Sequence, residues 1–310
     1  MSLLTGGGWV RRLGPRWREA GVHPDSLFGG EAFERGVDER RRLEYQFELL
    51  REDFDLWFDA ALRLAGLRLD PAGATWSVLD AGCGEGLFTH EIAHRYPRAR
   101  VVGFDVDARA VAVAEQRCAR QPNVALSVHD VRQPILGSVP AAHGFDLAVL
   151  WLVLPYLPDR RTVLANLAAT LRPGGVLLLG NVPDEALRLD HPAAAGLMAA
   201  GRQLVERMGL GGLQDSLTPL LAEAGFEAVT THELRYPMGG ATRSGHRWYA
   251  YMLTGMSAAK PVVVDTFGLM DAAEYDRRID QLAAESVLDI AGDVRFLVTL
   301  ARRAGSGTDG

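Results

Sequence analysis

The sequence predicts an α/β fold: a mostly parallel sheet with helices on both faces. Three observations carry this. Short apolar runs alternate with helix-period segments between residues 76 and 181; one run, Phe145–Trp151, is almost wholly apolar; and the first run ends in glycines before a helix. Alternation at this spacing marks parallel strands joined by crossover helices, and a strand without a polar face is one covered on both sides.

Residues 1–30, rich in Gly, Arg and Pro without periodicity, are expected to form a flexible arm, followed by an N-terminal helical segment over 31–70. Within that segment Leu43, Phe47, Leu50, Phe54, Trp57, Phe58 and Leu62 recur at steps of three and four. That is the stripe of an amphipathic helix from about Asp38 to Gly66. Trp76–Ala81 then reads as a strand, Glu85–Tyr96 as a helix, Arg100–Asp105 as a strand and Ala108–Arg120 as a helix. Val124–Val128 and Phe145–Trp151 are further strands. A helix bearing Val163, Leu164, Leu167 and Leu171 leads through a Pro173-Gly174-Gly175 turn into a fifth strand, Val176–Gly180. Beyond it the pattern predicts helices over about Ala193–Met208, Leu213–Gly225, His246–Ala258 and Ala272–Glu285. Strands are expected at Ala228–Arg235 and Phe296–Thr299, and a disordered tail at 304–310.

Bulk composition narrows the function classes. The 310 residues are 48% hydrophobic and 23% charged, with 39 acidic against 33 basic residues, which gives no basic stripe for nucleic acid. Cys83 and Cys118 form no CxxC pair, so no zinc site or disulfide framework is expected, and an iron-sulfur radical enzyme would need more thiolates. The longest apolar run, Leu147–Leu154, is too short to cross a bilayer, and residues 1–26 lack a signal-peptide core. The expected setting is cytoplasmic, with no membrane or nucleic-acid partner and no metal.

The glycine-ended strand carries the chemistry. Glycines 82, 84 and 86 form a GxGxG pattern, whereas a dinucleotide loop is GxGxxG and here Leu87 follows. Glu85 lies in the loop and Asp80 just before it; a like charge about 5 Å from a pyrophosphate costs on the order of 3 kcal/mol at an effective dielectric near 20. A ligand with an ammonium and a sulfonium avoids that conflict. Glu85 also suits a helix first turn, where the dipole favours an acid. Asp105 ends the second strand, where a carboxylate can accept ribose hydroxyls. Asp130 ends the third, where a carboxylate can accept an adenine amino group while Val131 covers the ring.

Together these residues resemble class I S-adenosylmethionine-dependent methyltransferases of the small-molecule type. The resemblance runs from about Tyr45 to Asn181. Its motifs are Val78-Leu-Asp-Ala-Gly-Cys-Gly-Glu-Gly86, Val102-Gly-Phe-Asp105, His129-Asp130, Phe145-Asp-Leu-Ala-Val149 and Leu171-Arg-Pro-Gly-Gly-Val176. It implies a Rossmann-like seven-stranded sheet in a domain over 71–303, its last two strands an edge hairpin interrupted by a helical lid at about 236–292. It implies S-adenosyl-L-methionine as cofactor, with Asp80, Gly82, Gly84 and Gly86 along its amino-acid part. Asp105 and Val106 would lie at the ribose, Asp130 and Val131 at the adenine, and Trp151 beside the methyl group. The segment Arg42-Leu-Glu-Tyr45-Gln46 resembles one that closes over the cofactor, and makes Tyr45 a candidate for its carboxylate.

Methyl transfer is an in-line displacement in which the protein mainly aligns the reactants and excludes water. A base is needed only when the nucleophile must lose a proton. Tyr156, after the fourth strand, and His246, in the insertion, are the candidate catalytic residues. Leu154-Pro155-Tyr156 lacks the polar residue of the Asp/Asn-Pro-Pro-Tyr motif of nucleic-acid amino methylases. Apart from Met1, every methionine lies between 198 and 270, near Trp248, Tyr249 and Tyr251, which suggests either an apolar pocket or plain helical packing. The expected substrate is a small organic molecule of secondary metabolism, methylated on O, N or C. The competing expectation is a non-methylating reaction, such as cyclisation, on the same fold. The N-terminal and inserted helices serve equally as a lid or a homodimer interface.

Overall fold

Apolar alternation at period two builds a sheet with two covered faces. Leu79, Ala81, Val102, Phe104, Ala148, Leu150, Leu177 and Leu179 pack on one face, and Val78, Val101, Leu147, Val149, Val176 and Leu178 on the other. The structure, a computed structural model, describes residues 39–67, 75–139 and 144–305. The arm expected at 1–30 and residues 306–310 of the expected tail lie outside the described residues.

The elements run α1 (Glu39–Leu64), β1 (Ser77–Ala81), α2 (Leu87–Arg95), β2 (Arg100–Asp105), α3 (Ala108–Arg117), β3 (Val124–Val128) and β4 (Phe145–Trp151). A short 3₁₀ turn, Leu154–Tyr156, precedes α4 (Arg160–Thr170) and β5 (Leu171–Asn181). Then come β6 (Leu187–Leu189), α5 (Pro192–Arg207), α6 (Leu213–Glu223), β7 (Phe226–Gly239), α7 (Arg243–Ala258), a π-helical segment (Pro261–Thr266), α8 (Ala272–Ala284) and β8 (Ala291–Arg303). Two of the differences from the sequence reading concern the sheet's make-up. The Pro173-Gly174-Gly175 turn is a bulge inside β5: Leu171 already pairs with Phe145, and the register shifts before Val176 meets Leu147. And the short strand β6, whose three residues carry too little pattern to be read, brings the described strands to eight.

The chain divides into two compact units. The larger takes Leu50–Pro183, Gly212–Leu234 and the chain from Phe296. Its strands lie in the order β3-β2-β1-β4-β5-β8; β1 to β5 pair in parallel, β8 runs antiparallel to β5, and β7 pairs with β8. Helices α4 and α6 cover one face through Val163, Leu164, Leu167, Leu213, Leu217 and Leu221. The C-terminal part of α1 covers the other with Phe54, Phe58, Ala61 and Leu62, beside Ile92 and Ala93 of α2. A polar clasp ties the strand starts together. Asp146 accepts from Ser77 N (2.8 Å) and Arg172 Nε (2.5 Å), and Arg172 Nη2 donates to the Ala65 carbonyl at 3.1 Å.

The smaller unit takes the described residues through Leu49, Asp184–Gly211 and Arg235–Arg295. It holds α5, α7, α8 and the pairing of β6 with the start of β8, where Arg188 lies opposite Asp293 and donates to it at 3.1 Å. Gly196 lets α5 approach α8: a Cβ there would meet the Arg278 guanidinium at 2.6 Å. All six internal methionines fall in this unit, and Met208 and Met238 are buried. Trp248, Tyr249 and Tyr251 are buried as well. Trp248 stacks on Tyr236 at 4.4 Å, and the Tyr249 hydroxyl donates to the Leu282 carbonyl at 2.7 Å.

Candidate cofactor and active site

The glycine loop leaves β1 and turns back on β2, with Gly82 N and Cys83 N both donating to the Phe104 carbonyl at 2.8 and 2.9 Å. Gly82, Gly84 and Gly86 all have positive φ, of 73°, 53° and 76°, which a side chain resists. Their surroundings differ. A Cβ on Gly82 would meet Val153 at 2.6 Å and one on Gly86 would meet Ala114 at 2.8 Å, while one on Gly84 would meet nothing within 4 Å. Gly82 and Gly86 therefore permit internal packing. Gly84 marks the open side of the loop, where a ligand can approach the backbone.

Two carboxylates sit beneath the loop. Asp80 is buried and accepts the Thr89 hydroxyl at 2.5 Å. Burial raises its carboxyl to about 6, the Thr89 hydrogen bond opposes the rise and the nearby Asp105 charge adds to it. Asp105 accepts from Gly84 N and Asp107 N, each at 2.9 Å, so it braces the loop from the end of β2. Burial raises its carboxyl too, against the backbone N–H groups of Asp107, Gly84 and Val106 that favour the charged form. Val106 beside it is exposed. Asp130 is gripped by Arg132, whose backbone N and Nε donate to Oδ1 at 3.0 and 2.8 Å, with Nη2 2.5 Å from Oδ2. Val131 is buried in the core beneath.

One electrostatic step of the sequence reading changes. Glu85 turns toward α3, where Arg117 Nε donates to its carbonyl at 3.0 Å and Arg117 Nη2 lies 3.9 Å from its carboxylate. Its charge is offset, so Glu85 no longer argues against a pyrophosphate. That burden falls on Asp80 and Asp105.

Trp151 ends β4 with its indole lying over Gly180 of β5: a Cβ there would meet the ring at 2.4 Å. Phe54 meets Trp151 edge-on at 5.1 Å and Phe88 lies 5.6 Å away. The indole Nε1 is buried with no partner among the described atoms. Leu152 follows at φ 57°, a conformation costly for a branched side chain, and its N donates to the Gly180 carbonyl at 2.7 Å.

The sequence-predicted residues separate. Asp80, the three glycines, Asp105, Val106, Asp130, Val131, Trp151 and Tyr156 belong to the larger unit. Tyr45 and His246 belong to the smaller. The Tyr45 hydroxyl donates to the Arg247 carbonyl at 3.2 Å, beneath the Arg247 guanidinium at 5.3 Å from its ring. His246 Nε2 lies 2.7 Å from the Gly240 carbonyl; a carbonyl only accepts, so that nitrogen donates. Tyr156 is half-buried in the 3₁₀ turn. Sequence reasoning missed Thr89, Arg132, Gly180 and the strained Leu152. Only Arg132, two residues from Asp130, had a local signal.

The family model described as "Methyltransferase domain" matches residues 79–177, the stretch from the glycine loop through β5. The chain is 31% identical over 218 residues to a trans-aconitate 2-methyltransferase of Variovorax paradoxus, covering 66% of this chain and 77% of that one. The chain belongs to the class I S-adenosylmethionine-dependent methyltransferases. The methyltransferase is also 31% identical to a trans-aconitate 2-methyltransferase of Deinococcus radiodurans over 71% of this chain and 75% of that one. A malonyl-[acyl-carrier protein] O-methyltransferase of Halalkalibacterium halodurans is 27% identical over 54% of this chain and 61% of its own. Among solved structures, a methyltransferase from Bacillus halodurans matches 79% of this chain and 98% of its own (TM-score 0.51, 16% identity), and a [4+2]-cyclase matches 81% and 82% (0.50, 18%). These two share the fold. The cofactor of the methyltransferase is S-adenosylmethionine.

The residues present suit that cofactor. Gly84 leaves room against bare backbone, Asp80 and Asp105 supply negative charge for an ammonium and acceptors for hydroxyls, and the Trp151 ring suits a sulfonium. Among the described residues no His, Cys, Asp and Glu cluster is arranged to hold a metal, and no helix is long and apolar enough to cross a membrane.

Proposed function

We propose that the enzyme methylates an O, N or C atom of a small organic molecule of secondary metabolism in the cytoplasm. The observation that carries this reading is the convergence, at the C-terminal ends of β1 to β4, of the open glycine loop, Asp105, Asp130 and the Trp151 ring. S-adenosylmethionine supplies an electrophilic methyl group on a sulfonium. The carboxylates of Asp80 and Asp105 favour its positive groups and its ribose, and Asp130 keeps one carboxylate lone pair free of Arg132 for an exocyclic amine. Trp151, walled by Phe54 and Phe88, excludes water from the methyl and favours cationic charge at its ring. Relatives named for trans-aconitate and malonyl-carrier substrates support acceptors that are not nucleic acid.

Release of S-adenosylhomocysteine, measured against trans-aconitate, a malonyl thioester, phenols and amines, tests methylation directly. Calorimetry with S-adenosylmethionine and NAD tests the cofactor assignment, and tight NAD binding alone would overturn it. A cyclisation would consume substrate without releasing S-adenosylhomocysteine. Tyr156 and His246 are the proposed proton acceptors, tested separately. Where a proton must leave, Tyr156→Phe or His246→Ala lowers kcat by roughly 10²–10⁴-fold while leaving cofactor affinity intact. Near-normal turnover in both removes them from the chemistry.

A further inference from the structure

The strand ends of β1 to β4 are accounted for; that of β5 is not. β5 runs Val176, Leu177, Leu178, Leu179, all buried, then Gly180, and ends on Asn181, which has no exposed surface. Both its amide atoms, Oδ1 and Nδ2, are buried without a hydrogen-bond partner among the described atoms. Alternation puts this side chain on the face of Leu177 and Leu179, opposite to the Trp151 ring. Its backbone pairs with Leu297 of β8 on one side, and Leu152 bonds the adjoining Gly180 carbonyl on the other.

A buried amide left unpaired is costly for each unsatisfied group, and a leucine there would continue the apolar row at no such cost. Buried polar groups in native proteins have partners. Among the described residues Asn181 is the one side chain with two such atoms, an acceptor and a donor side by side at the end of a central strand. The residue across from it is also a strained one: Leu152, whose N donates to the Gly180 carbonyl, is held at φ 57°, a conformation costly for a branched side chain.

We propose that Asn181 is a specificity residue for the methyl acceptor, taking a neutral polar group that presents a donor and an acceptor side by side. The proposal rests on the methyl-transfer reading and adds the acceptor's chemistry. A carboxylate could use only Nδ2 and would face the amide oxygen with like charge. A carboxamide, or a hydroxyl beside a carbonyl, satisfies both amide atoms.

The test uses salicylamide as the neutral probe and trans-aconitate as the anionic one, titrated calorimetrically into the complex with S-adenosylhomocysteine, for the wild type, Asn181→Leu and Asn181→Asp. The wild type is expected to bind salicylamide more tightly than trans-aconitate, and both variants to weaken salicylamide about tenfold or more, as sites built around a hydrogen bond do when it is lost. S-adenosylhomocysteine affinity stays within about twofold of wild type, a difference well under 1 kcal/mol. Asn181→Leu also raises the ligand-free melting temperature, an outcome a structural role would reverse. A lower melting temperature for Asn181→Leu, unchanged salicylamide affinity in both variants, no binding of salicylamide to the wild type, or a preference for trans-aconitate overturns the proposal. Failure of Asn181→Leu to fold counts with a lower melting temperature and overturns the proposal as well. Failure of the wild type to bind S-adenosylhomocysteine defeats the methyl-transfer reading instead.

Discussion

The cofactor site of the larger unit and the hydrogen bonds that the start of α1 makes within the smaller differ in how far along the chain they reach. In the larger, the site is wired locally: Asp105 braces residues two and 21 positions away, Asp80 meets Thr89 at nine and Asp130 meets Arg132 at two. In the smaller, the bonds span the chain. Arg42 and Gln46 donate to the Tyr251 hydroxyl from 209 and 205 positions away, and Tyr45 reaches Arg247 across 202. Local wiring lets one strand–loop–helix unit assemble its binding surface as it folds. Distant wiring makes the smaller unit's contacts depend on the whole chain being in place.

The contrast can be broken most forcefully at the glycine loop. Gly82→Val adds a positive-φ penalty to a collision with Val153 and should cost about 2–6 kcal/mol, abolishing S-adenosylmethionine binding with a large drop in melting temperature. A variant that melts normally would show that the loop is not packed as described. Asp80→Asn sharpens the comparison next. Burial holds Asp80 at about 6 against an ordinary 3.8, so the folded protein binds the extra proton between those values and its stability falls as pH rises from about 4 to about 6. At neutral pH the rise amounts to about 3 kcal/mol, which the amide removes. The variant should melt higher at pH 7, lose the slope, and bind S-adenosylmethionine more weakly; a wild type whose stability climbs through that window would contradict the assignment.

Gly84→Ala lies below these, since its Cβ meets nothing and only its φ costs about 1–2 kcal/mol. Calorimetry should then find cofactor affinity reduced out of proportion to stability. Tyr45→Phe, in the distant network, should cost under about 1 kcal/mol, the worth of one hydrogen bond. A markedly weaker S-adenosylmethionine affinity in that variant would bring Tyr45 to the cofactor; an unchanged one would confine it to Arg247.

The same contrast explains what was legible in the sequence. The strands β1 to β4 and the glycine loop were readable because Val, Leu and Ala at period two, Gly at positive φ and Asp at strand ends each leave a local mark. Thr89 leaves none: a threonine within a helix says nothing of a carboxylate nine residues earlier on the preceding strand. Glu85 misled because its partner, Arg117, stands 32 residues away on α3. Gly180 reads as a strand glycine, and only the fold shows the indole that requires it. β6 was too short to register, and the bulge at Pro173–Gly175 reads as a turn until its pairing is seen.

The Trp151–Gly180 contact has a consequence for anyone reshaping the enzyme. The ring occupies volume that β5 gives up at residue 180, so the two positions share one allotment of space across neighbouring strands. A library varied at 151 alone can only subtract from that allotment and leave a void. Varied together, a smaller residue at 151 with a larger one at 180 shifts the filled volume from one strand to the next. A double-mutant cycle on the pair would show strong coupling, and acceptor preference would follow the pair rather than either residue.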